Sequence, residues 1–296
     1  MLNDFELEKE KASDWFLNLR KNIIESFERI EDSYTQETGL EKLAGRFSVK
    51  KTKRNGTQES DNGGGIMSVM RGGRIFEKVG VNVSTVYGPL DDRIKKLMRA
   101  RRKIIRNDKI VNFWASGISV VAHMQNPQCP AVHMNTRMFW TPDAWWFGGG
   151  ADLNPSIEKA ADTDFFHTAL KDCCDRHDRT YYPKFKKWAD DYFYIPHRNI
   201  ARGVGGIFFD DLSTDWSRNF TFTQDVGKTF LSTFTEILNR RMNEKWTDAD
   251  KDGQLIYRGL YSEYNLIYDR GTKFGLESGH DPDAVLMSLP PMVKWY

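Results

Sequence analysis

Cysteine is scarce in this sequence. Only three cysteines occur among 296 residues, Cys129, Cys173 and Cys174, and the last two are adjacent. An odd number with an adjacent pair provides neither a disulfide framework nor the paired spacing of a zinc site. We therefore expect a protein of a reducing compartment, and a cytoplasmic location is the simplest prediction.

Long apolar runs and an excess of one charge are also lacking. No apolar stretch approaches the roughly 18 residues that a membrane-spanning helix needs. The acidic, polar start MLNDFELEKEK differs from targeting peptides, which are basic and poor in acids. The 43 lysines and arginines nearly balance 41 aspartates and glutamates, which argues against a dedicated nucleic-acid-binding protein. We expect no transmembrane segment and no nucleic-acid partner.

The order of predicted elements indicates an α+β fold. Hydrophobic residues make up 40% of the chain, and no repeat or clear boundary divides it, so 1–296 is predicted to be a single domain with a polar connector over about 36–64. Periodicity predicts helices over 4–34, 89–103, 162–176, 182–194 and 223–244. It predicts strands over 66–73, 74–88, 110–124, 131–140, 144–148, 203–211, 259–269 and 284–290. Because strands neighbour strands, we predict a large, mostly antiparallel sheet flanked on both faces by helices.

Three consecutive glycines stand in the stretch WWFGGGADLNP, residues 145–155. A phosphate loop would need Gly-Lys-Ser/Thr opening a helix, and Asp152 would repel phosphate. One alternative is a turn or bulge at the end of a strand. The other is close approach of the backbone to a large ligand that presents N–H donors to Asp152.

Two strand-like runs with many polar residues flank Pro127 and Pro130 in SGISVVAHMQNPQCPAVHMNTRMF, residues 116–139. Alternation places one set of side chains on a common face: Ser119, Val121 and His123 on the first strand, and His133, Asn135, Arg137 and Phe139 on the second. If the hairpin is symmetric about residue 128, His123 faces His133 and Ser119 faces Arg137. Such a face is either solvated or lines a site, and nearby aromatic residues favour a site.

Histidines and arginines outside this hairpin allow two interpretations. His123, His133, His167 and His197 either converge on a metal or are separate hydrogen-bonded histidines, since none has the i, i+4 helical spacing of a metal motif. Arg198 and Arg202 either bind carboxylates or pair with acids among Asp190, Asp191, Asp210 and Asp211.

Long segments carry a family resemblance: 63–88, 113–139, 145–155, 182–212 and 264–295. They closely resemble oxygen-dependent coproporphyrinogen III oxidases, and the match is collinear over roughly 5–296. The resemblance implies oxidative decarboxylation of two propionates of coproporphyrinogen III to vinyls, giving protoporphyrinogen IX with O2 as the oxidant. It also implies a flat antiparallel sheet between helices, a deep cleft, and a homodimer whose contact segment maps near 257–293.

The resemblance also implies roles for individual residues. His133 matches a proton donor, Asp152 a residue that holds pyrrole N–H groups, and Arg137 a residue at a substrate propionate. Implied substrate contacts fall on Ser119, Asn135, Thr136, Arg137, Gly279, His280 and Asp281. A metal set assigned to bacterial members falls on His123, His133, His167 and His197. The chemistry requires no cofactor besides the co-substrate O2; the alternative is a divalent metal such as manganese.

Three positions depart from the family pattern. Asn154 stands where threonine is usual, Ile200 where an acid is usual, and Asp281 where relatives often have arginine. Two other functions therefore remain alternatives. One is a metal-dependent oxygenase acting on another substrate, and the other is a non-catalytic tetrapyrrole-binding relative.

Overall fold

The computed structural model describes residues 5–34, 43–54, 62–90, 92–100, 103–105, 110–277 and 279–296. Its helices are α1 (Glu6–Ser33), α2 (Asp92–Ala100), α3 (Ala160–Asp175), α4 (Tyr181–Tyr192), α5 (Trp216–Arg241), α6 (Asp248–Ile267), α7 (Arg270–Glu277) and α8 (Pro282–Val285), followed by a 3-10 turn (Leu286–Ser288). Its strands are β1 (Ser48–Lys53), β2 (Gly63–Arg71), β3 (Phe76–Pro89), β4 (Asn112–Met124), β5 (Ala131–Thr141), β6 (Ala144–Asn154), β7 (Tyr194–Ile195), β8 (Ile200–Ala201) and β9 (Gly205–Leu212).

Seven strands form one antiparallel sheet in the order β1-β2-β3-β4-β5-β6-β9, and β7 pairs with β8 in a small ribbon. Each strand of the sheet lies beside its neighbour in the chain until β9, which pairs with β6 after α3 and α4. The predicted α+β class with a large antiparallel sheet is confirmed. Among the described residues, no helix combines the length and apolarity that crossing a membrane requires.

The two faces of the sheet are covered differently. On one face, which we call the α1 face, α1, α3 and α5 bury a continuous core that includes Phe16, Phe27, Val120, Met134, Phe166 and Phe230. Burial of so many large apolar side chains is the main stabilising contribution to the fold. The opposite face, which we call the α6 face, meets α6 and the turn at Leu286–Ser288. There Arg258 and Gln254 donate hydrogen bonds to the carbonyl oxygen of Met124.

A buried carboxylate joins α1 to the β2–β3 turn. The side chain of Glu31 has no exposed surface and accepts four backbone N–H groups: from Gly45 and Arg74 at Oε2, and from Ile75 and Phe76 at Oε1. These distances are 2.6–2.9 Å. Gly73 is required here, because a Cβ on it would lie 2.4 Å from Oε1. Hydrogen bonds to an ionised group are stronger than those between neutral groups. This cluster therefore holds the start of β3 against α1.

Two strands extend into parts of the chain where the sequence predicted none. The predicted connector, 36–64, contains β1 and the start of β2, while 35–42 and 55–61 lie outside the described residues. β1 is an edge strand with mostly exposed residues, so it has no apolar alternation to detect. β6, predicted to end at 148, continues to Asn154.

The three glycines lie inside β6 and not at its end. A bulge against β9 falls between Phe147 and Gly149, whereas pairing with β5 is uninterrupted. Neighbouring atoms occupy the places of the missing side chains: a Cβ on Gly148 would lie 2.5 Å from Oδ1 of Asp210, and one on Gly150 2.6 Å from the carbonyl oxygen of Ile207. The glycines therefore serve close packing within the sheet.

The last two predicted strands are helical. Residues 259–267 belong to α6, which begins at a capping box formed by Thr247 and Asp250. Its buried face carries polar residues such as Gln254, Arg258 and Asn265. The apolar periodicity of this segment is therefore too weak to predict a helix. Residues 284–288 form the end of α8 and the 3-10 turn, because Asp281 caps α8 and Pro282 occupies its first turn.

Candidate functional site

The β4–β5 hairpin closes in a different register from the one predicted. It pairs Gly117 with Arg137, Ser119 with Asn135 and Val121 with His133. The predicted pairs His123–His133 and Ser119–Arg137 are therefore wrong by two residues. Since the shift is even, alternation still places both histidines on the α6 face.

Asp152 lies opposite His133 on β6 and is fully buried. Its Oδ1 is 2.7 Å from Nδ1 of His133. Its Oδ2 accepts hydrogen bonds from Arg202 at 2.7 Å and from Asn154 at 2.8 Å. Burial alone would raise the pKa of Asp152, but the charge of Arg202 and the bonds from His133 and Asn154 lower it. The carboxyl group is thus held as a carboxylate.

Arg202 enters this site from the segment between β8 and β9. Only 4% of the residue is exposed. Its guanidinium carbon lies 4.2–4.7 Å from the ring centres of Phe193, Tyr261 and Tyr264, and Nη1 donates to Oδ1 of Asn265 at 3.0 Å. Burial alone would lower the pKa of Arg202, yet the negative charge of Asp152 raises it. Arg202 and Asp152 therefore form a fully desolvated ion pair in an aromatic cage.

A chain of polar contacts runs from this pair to the open part of the α6 face. His133 Nε2 is 3.1 Å from Nδ2 of Asn135, and Oδ1 of Asn135 accepts from Arg137 at 2.9 Å. Because arginine only donates, the amide of Asn135 turns its oxygen to Arg137 and its N–H to His133. Nε2 of His133 is therefore an acceptor, and the ring proton lies on Nδ1, toward Asp152.

Among the residues joined by these polar contacts, Arg137 has the most exposed side chain, at 37%. It lies above Gly148, whose missing Cβ would be 2.9 Å from Nη2 of Arg137, and Nη2 is 3.3 Å from Asp210. Phe139 follows Arg137 by two positions on the same face and stacks between Phe113 and Trp146, with ring centres 5.4 and 4.6 Å apart, and all three rings are buried. A guanidinium beside an apolar wall can bind a carboxylate attached to a ring system.

The other predicted substrate contacts do not all lie on the α6 face. Ser119 is half-buried on the α6 face. Thr136 lies on the α1 face with a fully buried side chain, so it does not reach the open face. Asp281 caps α8 through the N–H of Asp283 and pairs with Lys50 at 2.9 Å.

Gly279 and His280 precede that cap. Gly279 has a φ of 76°, in the left-handed region that favours glycine. Burial first, and then the charge of Arg54, lower the pKa of His280. Contact between this turn and a substrate stays a prediction.

The four histidines of the implied metal set have separate partners. His123 Nε2 is 2.8 Å from the carbonyl oxygen of Ser288, and His167 contacts Tyr182 and the carbonyl of Val204. His197 contacts Tyr268 and Glu263. Across the described ranges, no three His, Cys, Asp or Glu side chains are grouped so that they could hold a metal ion. A metal role for these histidines stays a prediction.

His123 gives a prediction on acid stability. Its pKa is lowered to about 3, mainly by burial and to a smaller extent by the charges of Arg258, Lys78 and Arg202, against the hydrogen bond to the carbonyl of Ser288, which raises it. The unfolded chain binds this proton near pH 6.5 and the folded chain does not, so stability is full above pH 6.5 and falls as the pH drops. Between pH 7 and 5 we expect His123 to remove about 2 kcal/mol of unfolding free energy.

Urea unfolding of the wild type and His123→Gln at pH 7, 6 and 5 measures this loss. Glutamine can still donate to the carbonyl of Ser288 but does not titrate. The variant should lose less stability on acidification, and equal pH slopes for the two proteins would contradict the assignment.

The sequence interpretation left the partners of Arg198 and Arg202 open and did not find the actual ones. Arg198 forms a forked pair with Glu263, and the pKa of Glu263 is lowered to about 2, chiefly by the hydrogen bond from Arg198 and also by those from His197 and Trp295. Arg202 pairs with Asp152, fifty positions away. Asn265 and Asp210 were also missed as members of the site. The departure at Asn154 has a structural consequence, since its amide donates to Asp152.

Comparison with known proteins identifies the class to which this fold and site belong. The sequence matches the family described as coproporphyrinogen III oxidase over residues 11–296, and the chain belongs to this family. Among its relatives are oxygen-dependent coproporphyrinogen-III oxidases of Rickettsia bellii (strain RML369-C) and Rickettsia rickettsii (strain Sheila Smith), each 48% identical, and of Rickettsia africae (strain ESF-5), 47% identical. Each match covers 97% of this chain and 98% of the relative.

Proposed function

We propose that this protein converts two propionate side chains of coproporphyrinogen III to vinyl groups with O2 as the oxidant, giving protoporphyrinogen IX in porphyrin biosynthesis. In each half-reaction one C–CO2 bond breaks, CO2 leaves, and the electron pair of that bond forms the vinyl double bond. One C–H bond of the same side chain gives up its electron pair and proton. O2 takes this electron pair, this proton and a second proton from the propionic acid group or from solvent, and becomes hydrogen peroxide. Family membership over nearly the whole chain supports this reaction.

The structural observation that carries the proposal is the open polar chain on the α6 face. Arg137 presents a partly exposed guanidinium on this face, which suits the carboxylate of a propionate. Ser119 and Asn135 lie on the same face and are paired across β4 and β5. His133 adjoins Asn135 on this face at 3.1 Å, so its imidazole is the candidate for moving a proton.

An aerobic assay tests the activity. Purified protein is incubated with coproporphyrinogen III, and the products are separated after oxidation and identified by porphyrin fluorescence. We expect protoporphyrin with loss of two carboxyl groups. Recovery of unchanged coproporphyrin only, under conditions where a verified relative turns over, would refute the function.

Chelation separates this reaction from that of a metal-dependent oxygenase. We expect turnover to survive dialysis against a chelator, because an electron-rich pyrrole can itself react with O2. The measurement is the rate before and after chelation, with metal content determined in both samples. Complete loss of activity that one specific divalent ion such as manganese restores would contradict the expectation.

We also propose a homodimer and a cytoplasmic location. Apolar side chains at the end of α6 and on α7 are exposed, with Leu266 at 52%, Ile267 at 46% and Leu276 at 44%. Exposed large apolar residues of this kind are a feature that protein interfaces bury. The three free, buried cysteines suit a reducing compartment. Sedimentation of the wild type and Leu266→Glu should give a dimer and a weakened dimer, and a monomeric wild type at micromolar concentration would refute the pairing.

A further inference from the structure

The carboxylate of Asp152 has no free side. Oδ1 is engaged by His133, Oδ2 by Arg202 and Asn154, and no part of the side chain is exposed. A pyrrole N–H group could reach it only by displacing one of these partners. Displacing Arg202 would leave a buried charge unpaired, which is strongly unfavourable.

We propose that Asp152 and Arg202 form a positioning pair that acts on the reaction through His133, and that neither touches the substrate. This inference rests on the proposed function. It differs from the role that the family resemblance implies for Asp152, which is direct contact with pyrrole N–H groups. It also adds Arg202 to the residues on which catalysis depends.

The surroundings of Arg202 suit a fixed rather than a mobile group. Three aromatic rings enclose the guanidinium, and Asn265 fixes its second edge. A planar fork held in this way can present only one edge to Asp152. The carboxylate in turn can offer Oδ1 only to His133. The pair therefore defines where the imidazole lies and which of its nitrogens carries the proton.

His133 connects the buried Asp152–Arg202 pair to the more exposed residues of the α6 face. Its ring packs edge-on against Phe193 at 6.1 Å, and its side chain is 15% exposed, compared with none for Asp152. With Nδ1–H directed to Asp152, Nε2 is the nitrogen on the side of Asn135. An orienting carboxylate behind a histidine affects the chemical step more than substrate binding. We therefore expect losses in kcat with KM nearly unchanged.

A double-mutant cycle tests whether Asp152 acts through His133. Single-turnover conversion of coproporphyrinogen III is measured for the wild type, Asp152→Asn, His133→Ala and the double variant, with enzyme in excess. We expect Asp152→Asn to reduce the rate about a hundredfold alone and less than about threefold in the His133→Ala background, because residues that act as a unit are not additive. Steady-state kinetics of the same variants give kcat and KM separately. Additive losses in the cycle, or a rise in KM with kcat unchanged, would overturn the proposal in favour of direct substrate contact.

Glu77→Gln is the matched control. Glu77 pairs with buried Arg258 at 2.9 Å, on the same side of the sheet and through a residue of α6. Its replacement also breaks an ion pair with a buried arginine, but no hydrogen bond joins it to His133 among the described residues. It should lower stability without the kinetic signature. If Asp152→Asn is too unstable to assay, Arg202→Lys replaces it in the cycle, since it keeps the charge and loses the fork.

A spectroscopic arm needs no substrate. In protein with 15N-labelled histidine, we expect His133 to be protonated at Nδ1 and not at Nε2, and this pattern to change in Asp152→Asn and Arg202→Lys but not in Glu77→Gln. An unchanged pattern in both site variants would overturn the positioning role. Because this result does not depend on turnover, a failure of the proposed function is distinguished by an inactive wild type whose histidine pattern still behaves as expected.

Discussion

Glu31→Gln is expected to lower the free energy of unfolding by about 4 kcal/mol, a large fraction of the stability of an ordinary domain. The carboxylate accepts two backbone N–H groups at each oxygen. Whichever way the glutamine amide turns, its N–H2 group faces two buried donors and leaves them unsatisfied. Urea denaturation at neutral pH measures the loss.

Glu28→Gln is the control for this variant. Glu28 lies on the same helix, is half-buried, and accepts one backbone N–H, that of Phe47. Glu28→Gln should lower the free energy of unfolding by about 1 kcal/mol. Equal losses of unfolding free energy in the two variants would contradict the prediction that the four N–H groups bound by Glu31 make it the more important residue.

Arg137→Met is expected to reduce kcat/KM for coproporphyrinogen III about a hundredfold or more, with little change in stability. Two charge-assisted hydrogen bonds to a carboxylate contribute roughly 1.5–3 kcal/mol each, and 1.4 kcal/mol corresponds to a factor of ten. Methionine keeps the apolar length of the side chain beside Phe139 and Trp146. Steady-state kinetics and thermal unfolding of the same preparation separate the two effects.

Arg198→Met serves as the comparison, since the sequence offered Arg198 as another carboxylate-binding residue. Its guanidinium already donates two hydrogen bonds to the carboxylate of Glu263. Activity should remain within a few-fold of the wild type. If Arg198→Met were as inactive as Arg137→Met, or Arg137→Met nearly as active as the wild type, the assignment of Arg137 to a propionate would fail.

The sequence was sufficient to predict the polar face but not its register. Alternation of Ser119, His133 and Arg137 follows from strand geometry alone. The register depends on the turn, where Gln125 bonds to the carbonyl of Ile75 and Asn126 reaches residues after α5. These contacts are distant in the chain, so the hairpin sequence does not contain them.

The partner of Asp152 could not be predicted for a similar reason. The glycine stretch suggested an anchor for a ligand or a turn, and the structure places Asp152 within a strand, against an arginine that the sequence left unassigned. Buried charges pair across the fold, and pairing leaves no periodic pattern in the chain. The α6 helix was missed because much of its buried face is polar.

The strand order has a consequence for how the chain folds during synthesis. Strands β1 to β6 pair with successive neighbours, so each can join the sheet as it leaves the ribosome, through contacts of short sequence separation. Asp152 is then present before Arg202, and the helix carrying Tyr261 and Asn265 is made later still. Until those residues arrive, the carboxylate must remain hydrated on an uncovered sheet face. We expect a nascent chain that ends before Arg202 to be the species most prone to aggregate, and the candidate site around Asp152 to be the last part of the molecule to form.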